Sequence, residues 1–232
     1  MVTVSSQALA ALYSSGHADI GIAYENGGAG GFGAHWHFGP DAVVDGSPVG
    51  NYPQGADFAP DQITAMVPTS QMMTLPNSPA LIAGTGVDAG DDIWFLPQGE
   101  IPGVPFLGIA TEKLDSAEWG DITFSLGAVT SPSGSGNFSL WNTDPFGSPN
   151  FHFSTALGED TLTLSTGTHA HFSWGFSEVG IWGVEFIVSG THVDDGFQSA
   201  TETFSFNVIP EPTSVLLCGF GAFSFVLRRR RR

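Results

Sequence analysis

Cysteine is almost missing from this chain of 232 residues. The single one, Cys218, lies in an apolar segment close to the C-terminus. A disulfide framework needs cysteines in pairs, and a structural thiolate site for a metal usually needs several of them. The sequence therefore excludes both an intramolecular disulfide and a thiolate metal site.

Cations are also scarce: the chain has 6 lysine and arginine residues against 23 aspartate and glutamate residues. Five cations are the terminal arginines, so only Lys113 precedes Pro210, whereas Glu211 is the only acidic residue after it. With 22 acidic residues and one lysine, the segment before Pro210 carries a formal charge of −21. This excludes nucleic acid as a partner, because binding phosphates requires a basic surface. The surface would attract cations, although solubility outside the cell explains the acidity equally well.

Patterns typical of long helices are absent as well, and the sequence predicts an all-β fold. The 31 glycines and 15 prolines separate short stretches in which apolar and polar residues alternate, as in half-buried strands. Their spacing favours an immunoglobulin-like β-sandwich, clearest in residues 120–209, with a β-rich, loop-rich N-terminal half around 39–105. A hairpin turn is expected at 194–196. The predicted core faces are Ile122, Phe124, Leu126; Leu162, Leu164; Val184, Phe186, Val188; and Phe204, Phe206, Val208.

Residues 210–232 have an order of their own. Pro210, Glu211 and Pro212 come first, an apolar run at 215–227 follows, and five arginines end the sequence. A helix that crosses a bilayer comfortably needs about 20 apolar residues. The run therefore predicts a short C-terminal hydrophobic helix that the arginines anchor at a membrane interface. The alternative is a buried terminal helix of a cytosolic domain, but consecutive arginines have no ordinary role in a core.

This order resembles the PEP-CTERM sorting tail, which an exosortase recognises and processes in bacteria with an extracellular polysaccharide. The resemblance implies export to the cell envelope or outer surface, with a membrane anchor in place until the tail is processed. The residues that carry it are Pro210, Glu211, Pro212, Arg228, Arg229, Arg230, Arg231 and Arg232.

The N-terminal residues agree with export. Ala8, Leu9 and Ala10 have the small-x-small form of a signal peptidase site, but no basic segment and no long apolar segment precede them. We therefore expect the natural reading frame to begin upstream and the mature chain to start near Ala11. The expected organisation is a signal-peptide remnant at 1–10, an exported β domain at 11–209 and the sorting tail at 210–232.

Two histidine pairs carry the most specific chemistry: His35 with His37, and His169 with His171. Residues i and i+2 of a strand project from the same face, so each pair is able to clasp one ion. Aromatic residues such as Trp36 alternate with the histidines and are expected to face the core, which leaves the imidazoles toward solvent or a covering loop. The other interpretation is that they are ordinary polar residues on a wet face.

Neutral imidazole is a common ligand of zinc and other transition metals, and carboxylates from an acidic surface complete such shells. We therefore expect a site for zinc or manganese drawn from the two pairs together with His17, Asp19 or His152. His152 is included because aromatic residues flank it on both sides. His192, beside the predicted hairpin turn, is expected to be solvated.

The segments around these histidines resemble the choice-of-anchor M domain, a surface-anchored bacterial module. The resemblance rests on residues 16–22, 35–38, 103–108, 111–112 and 168–176, whereas the glycine-rich insert at 27–33 and the PEP-type tail depart from that family. Related proteins are encoded with metal-type ABC transporters, which implies capture or relay of zinc or manganese at the surface. The resemblance carries over to His17, Asp19, His35, His37, His169 and His171.

Other motifs are weaker. Residues 28–33 match the dinucleotide fingerprint in letters, but a strand rather than a helix is expected to follow them. The aspartates at 91–92 and 194–195 lack the spaced oxygen ligands of a calcium loop. Glu159 and Asp160 are neighbours on a strand or turn, so their carboxylates should diverge rather than pair for glycoside hydrolysis. We expect no organic cofactor and no enzymatic activity.

Three functions remain for comparison. The first is an exported module that binds zinc or manganese and passes it to a metal ABC transporter. The second is a structural or adhesive protein of the envelope or of the extracellular polysaccharide matrix, in which the histidines are incidental and the tryptophans mostly build the core. The third, a hydrolase acting on matrix polysaccharide, has the least support.

Overall fold

The computed structural model describes residues 10–25, 31–50 and 56–210. The expected signal-peptide remnant up to Leu9 and the sorting tail after Pro210, with its hydrophobic helix and its arginines, lie outside these residues. Most of the glycine-rich insert lies outside them too.

The described residues are mostly strand, which confirms the all-β prediction. The strands are β1 (Ala11–Glu25), β2 (Gly31–Phe38), β3 (Val43–Val44), β4 (Ser47–Pro48), β5 (Ala56–Phe58), β6 (Ile63–Val67), β7 (Met72–Thr74), β8 (Asp92–Leu96), β9 (Pro105–Ala110), β10 (Ile122–Thr130), β11 (Phe138–Thr143), β12 (Pro149–Ser154), β13 (Glu159–Leu164), β14 (His169–His171), β15 (Ser173–Phe176), β16 (Gly180–His192) and β17 (Gly196–Val208).

Helical structure is confined to short pieces in the described part of the chain. The α-helix α1 spans Pro79–Thr85, and two 3₁₀ turns span Pro60–Gln62 and Thr69–Gln71. None of these helices has the length and apolar character needed to cross a membrane. The strands β3 to β8, which lie in the region 39–105, have two to five residues each.

Hydrogen bonding links the strands into one large mixed sheet with three segments. In the first segment the order is β13, β10, β16, β17, β6, β1, β3, β4, and β6 runs parallel to both β17 and β1. In another segment β12, β11, β15, β8 and β7 follow one another, and β13 pairs with β12 as well as with β10. The long hairpin of β16 and β17 turns at 193–195, so the turn expected there is confirmed.

The remaining segment carries His17, Asp19 and the two histidine pairs. Its order is β5, β2, β1, β9, β14, with β1 parallel to β9 and the other pairs antiparallel. The first residues of β1 belong to the first segment and its later residues to this one, so β1 joins the two segments.

The core is formed by aromatic rings that meet from different segments. Trp36 of β2 packs against Phe204 and Phe206 of β17, with ring centroids 5.1 and 6.2 Å apart. Trp174 of β15 contacts Phe206 at 5.7 Å. All of these side chains have no solvent exposure. The sequence alternation predicted this face of β17, because every second residue of a strand points to the same side.

Replacing Phe206 by alanine tests whether this aromatic cluster stabilises the fold. We expect the free energy of unfolding to fall by about 3–5 kcal/mol, because the substitution leaves a cavity between three packed rings. The control is Phe197→Ala on the same strand, where the ring is 71% exposed and the expected change lies within about 0.5 kcal/mol. Chemical denaturation measures both, and equal losses for the two variants would contradict this account of the core.

Candidate metal centre

Cross-strand register places Asp19 and the two histidine pairs on one face of the β2–β1–β9–β14 segment. In one row His37 pairs with Asp19, Asp19 with Gly108 and Gly108 with His171. In the next row His35 pairs with Gly21, Gly21 with Ala110 and Ala110 with His169. Residues that face each other across hydrogen-bonded strands project from the same side of the sheet. The two histidine pairs, far apart in sequence, therefore border a common surface.

The opposite face of the same strands is apolar and explains this orientation. Trp36, Phe38, Ile20 and Ile22 alternate with the polar residues and have no solvent exposure. Because the side-chain period of a strand is two, burying these residues turns the histidines of β2 and the aspartate of β1 outward. The prediction that the aromatic residues flanking His35 and His37 face the core is confirmed.

The first group, here called the Asp19 cluster, comprises His17, Asp19, His169 and His171. One ring nitrogen from each of the three histidines lies within 4.8 Å of the other two. The Nε2 atom of His17 is 3.3 Å from Oδ2 of Asp19. Zinc–nitrogen bonds of about 2 Å place tetrahedral ligands roughly 3.3 Å apart, so the three ring nitrogens would have to move closer together to bind one ion.

Asp19 is only 1% exposed although it lies on the outer face of the sheet. Among the described residues, neither its Oδ1 atom nor the buried Nδ1 atom of His171 has a hydrogen-bond partner. Gly108 lies beneath both side chains, since a Cβ atom at this position would be 2.2 Å from Oδ1 of Asp19 and 3.1 Å from Cε1 of His171. Glycine at 108 therefore provides the space in which the carboxylate and the imidazole meet.

Burial sets the protonation of the Asp19 cluster. It raises the pKa of Asp19, and the neighbouring His17 and His169 partly counteract this rise when they are charged. Burial and the charges of the same two histidines lower the pKa of His171 to about 4. His171 is consequently neutral at ordinary pH, which is the form that binds a metal.

Two neighbours fix the orientation of the histidines in this cluster. Oε1 of Glu112 lies 2.9 Å from Nδ1 of His169, which leaves Nε2 of His169 as the nitrogen available to a ligand. The ring of His171 stacks on Phe106 with centroids 3.6 Å apart and an angle of 6° between the planes. A carboxylate behind a histidine is the usual outer partner of a metal ligand, because it fixes the tautomer and increases the basicity of the ring.

The second group, here called the Asp57 cluster, comprises His35, His37 and Asp57. Oδ1 of Asp57 is 2.7 Å from Nδ1 of His37 and 3.4 Å from Nε2 of His35. Lys113 also reaches this cluster: its Nζ atom donates to Oδ2 of Asp57 and lies 3.2 Å from Nε2 of His35. Ligand atoms of the three residues again lie within 4.8 Å of one another.

The charges of the Asp57 cluster are balanced by Lys113. Burial, together with the positive charge of Lys113, lowers the pKa of His35 to about 4. Burial by itself would raise the pKa of Asp57, but the hydrogen bonds from Lys113 and His37 outweigh it and lower that pKa. At neutral pH the cluster therefore combines an ionised carboxylate with a neutral His35.

A small cavity lies between the two clusters. Its volume is about 30 Å³, and residues of both neighbourhoods line it, among them Gly21, His37, Glu112 and Lys113. That is room for one or two water molecules or for a single ion.

The structure separates the remaining candidates from these clusters. His152 lies on β12, where its Nε2 atom is 2.6 Å from Oδ1 of Asn142 and its ring packs edge-on against Phe172. It belongs to neither group of candidate ligands in the described residues. The prediction for His192 is wrong: it is 2% exposed, because Trp119 and Tyr24 pack on its ring.

Sequence reasoning did not single out Asp57, Gly108, Glu112 or Lys113 as site residues. Asp57 lies between Ala56 and Phe58, and this apolar–acidic–apolar alternation was a usable sign of a carboxylate on an outer strand face. Glu112 and Lys113 gave no comparable signal, since they follow β9 in a turn and contact strands far away in sequence.

No family model and no curated protein matches this chain. The fold and the clusters by themselves define the chain as a β-protein with two histidine–carboxylate groups on one sheet face.

Adding a single methyl group at Gly108 tests whether the carboxylate of Asp19 lies directly above this residue. We expect Gly108→Ala to lower the free energy of unfolding by about 1–3 kcal/mol, because the new Cβ overlaps the buried carboxylate of Asp19 and crowds a backbone carbonyl. Gly33→Ala is the matched control on β2, where nothing lies within 4 Å of the added atom. Chemical denaturation compares the two variants, and an unchanged Gly108→Ala protein would show that Asp19 lies elsewhere.

The low pKa values of His35 and His171 predict a pH-dependent stability. Both rings stay neutral to about pH 4 in the folded chain, against an ordinary value of 6.5. Between these values the unfolded chain binds more protons, so the free energy of unfolding should fall as the pH drops from 6.5 toward 4. The raised pKa of Asp19 has the opposite effect on the free energy of unfolding. It concerns one group, whereas the two histidines act together in the first direction.

Denaturation at several pH values in the presence of a chelator measures this dependence. We expect the double variant His35→Gln, His171→Gln to have a flatter profile between pH 4 and 6.5 than the unsubstituted chain. The Gly33→Ala variant, in which both histidines remain, should keep the original slope. Equal slopes in all three proteins would contradict the assignment of neutral histidines.

Proposed function

We propose that this chain is an exported binding module, not an enzyme, that holds a divalent metal, zinc or manganese, at the Asp19 cluster. The observation that carries the proposal is the pair of buried atoms without partners, Oδ1 of Asp19 and Nδ1 of His171. Leaving a buried polar atom without a partner costs about 1–3 kcal/mol. A cation held by the carboxylate and the imidazoles would remove that cost.

The composition of the Asp19 cluster supports a transition metal over calcium or magnesium. The candidate ligands are three imidazoles, with the carboxylate of Asp19 beside His17. Such a group is rich in nitrogen, whereas calcium and magnesium take oxygen ligands. Glu112 behind His169 and Phe106 against His171 would hold two of the ligands in place. Neutral His171 needs no deprotonation before binding, which favours loading at neutral pH.

We further propose the cell envelope or outer surface as the location and metal uptake as the context. Support comes from the resemblance of residues 210–232 to an exosortase-processed tail and from the strongly negative charge of the preceding segment, which concentrates cations. An ABC transporter for metals would then receive the ion.

The finer fold, an immunoglobulin-like sandwich with a short C-terminal helix, is also a proposal, supported by rings of β12 and β15 that face rings of β16 and β17.

The alternative, an adhesive protein of the envelope or of a polysaccharide matrix, has less support. Sugar-binding surfaces commonly expose aromatic rings, and here only phenylalanines, Phe146 and Phe197, are strongly exposed among the aromatic residues with described exposure. Trp119 and Trp141 are about 5% exposed or less, and Trp94 is partly buried. Trp36, Trp174 and Trp182 are fully buried. The tryptophans thus build the core, and none of them offers an open platform.

Calorimetric titration of the full chain with zinc and with manganese tests the metal proposal. We expect stoichiometric binding at neutral pH that weakens below about pH 6, as imidazoles take up protons. The double variant His169→Ala, His171→Ala should bind at least about a hundredfold more weakly, because losing even an outer partner of a ligand costs 10- to 100-fold.

His152→Gln is the matched control for this experiment, since it removes a histidine outside both clusters and should leave the affinity unchanged. If the full chain binds neither metal, or if the double variant binds as tightly as the unsubstituted chain, the Asp19 cluster is not a metal site. Affinity for polysaccharide without affinity for metal would favour the adhesive alternative.

A further inference from the structure

Lys113 lies at a place in the Asp57 cluster that is suited to a cation. Its ammonium group contacts Oδ2 of Asp57 and Nε2 of His35 at once. An ammonium group only donates hydrogen bonds. Nε2 of His35 must therefore accept, so the lone pair of this imidazole, like the carboxylate, is directed at Nζ of Lys113. The ammonium stands where two of the three candidate ligands converge.

This ion pair contributes little to the stability of the fold. The side chain of Lys113 is 34% exposed and that of Asp57 is 50% exposed. Ion pairs of this kind typically contribute about 0–1 kcal/mol, since water competes for both partners. The contact is thus weak enough for a competing cation to displace, and a long flexible side chain has room to move into solvent.

We propose that the Asp57 cluster is a second divalent-metal site that Lys113 keeps closed, so that a metal ion enters only by displacing the ammonium group. The ion would take Asp57, His35 and His37 as ligands, and Lys113 would move into solvent. Because the ion must compete with an internal cation, this site is weaker than it would be without the lysine. The inference concerns other residues than the Asp19 cluster and does not depend on metal binding there.

The sequence context gives the lysine particular weight. Lys113 is the only cation among the residues before Pro210, against 22 acidic residues. It follows Glu112, whose carboxylate contacts His169 of the Asp19 cluster. Two consecutive residues of opposite charge thus contact the two clusters. The carboxylate of Glu112 orients His169 in the Asp19 cluster, whereas the ammonium group of Lys113 contacts the candidate ligand atoms of the Asp57 cluster.

The test uses the full chain with His169→Ala and His171→Ala as background, so that metal binding at the Asp19 cluster is removed. Zinc is titrated at neutral pH into this background, with and without Lys113→Met, which keeps an unbranched side chain but removes the charge. We expect Lys113→Met to increase the zinc affinity of the second site about three- to tenfold, since the ion then neither breaks the ion pair with Asp57 nor meets the repulsion of the ammonium group. Adding Asp57→Asn should abolish the gain.

Lys113→Arg is the matched control, because it keeps the positive charge and should give no gain in affinity. No gain with Lys113→Met would overturn the proposal and leave an ordinary ion pair. A gain that persists with Asp57→Asn would overturn it as well, since the zinc would then bind elsewhere. These outcomes are independent of binding at the Asp19 cluster, because every protein compared in this test lacks the two histidines of β14.

Discussion

The hydrogen-bonded register of β1 with β2 and β9 determines where both clusters lie. It aligns Asp19 with His37 on one side and with Gly108 on the other. A shift by one residue would turn Asp19 and the histidines of β2 into the core and bring Ile20 and Trp36 to the surface. The burial of these apolar residues therefore fixes the position of both histidine–carboxylate clusters through the same pairing that stabilises the sheet.

Local sequence patterns were sufficient to predict which way the histidine pairs point. Alternation with Trp36 and Phe38 identifies the outer face of β2, because a strand has a side-chain period of two. The same rule identified the buried faces of β10, β16 and β17. Alternation says nothing about strand order, however, so the meeting of β2 with β14 across β1 and β9 was not predictable from spacing. It depends on long-range pairing, including the parallel pair of β1 and β9.

The wrong prediction for His192 and the site residues that the sequence did not reveal have the same cause, namely contacts between residues far apart in the chain. His192 was expected in solvent because it adjoins a hairpin turn, yet Tyr24 of the distant β1 and Trp119 cover its ring. Asp57, Glu112 and Lys113 became candidates only through contacts with residues 20 to 78 positions away. Contacts of that kind are a property of the tertiary fold, whereas single-residue patterns report only the local backbone.

The distance along the chain between the ligands of the Asp19 cluster has a thermodynamic consequence. His17 belongs to the first long strand and His169 to a short strand in the last third of the chain. An ion held between them would act as a removable cross-link that closes a very long loop. Such a ligand binds the native state alone and adds stability in proportion to the logarithm of its free concentration. The resistance of the whole sheet to unfolding would then report how much metal the surroundings contain.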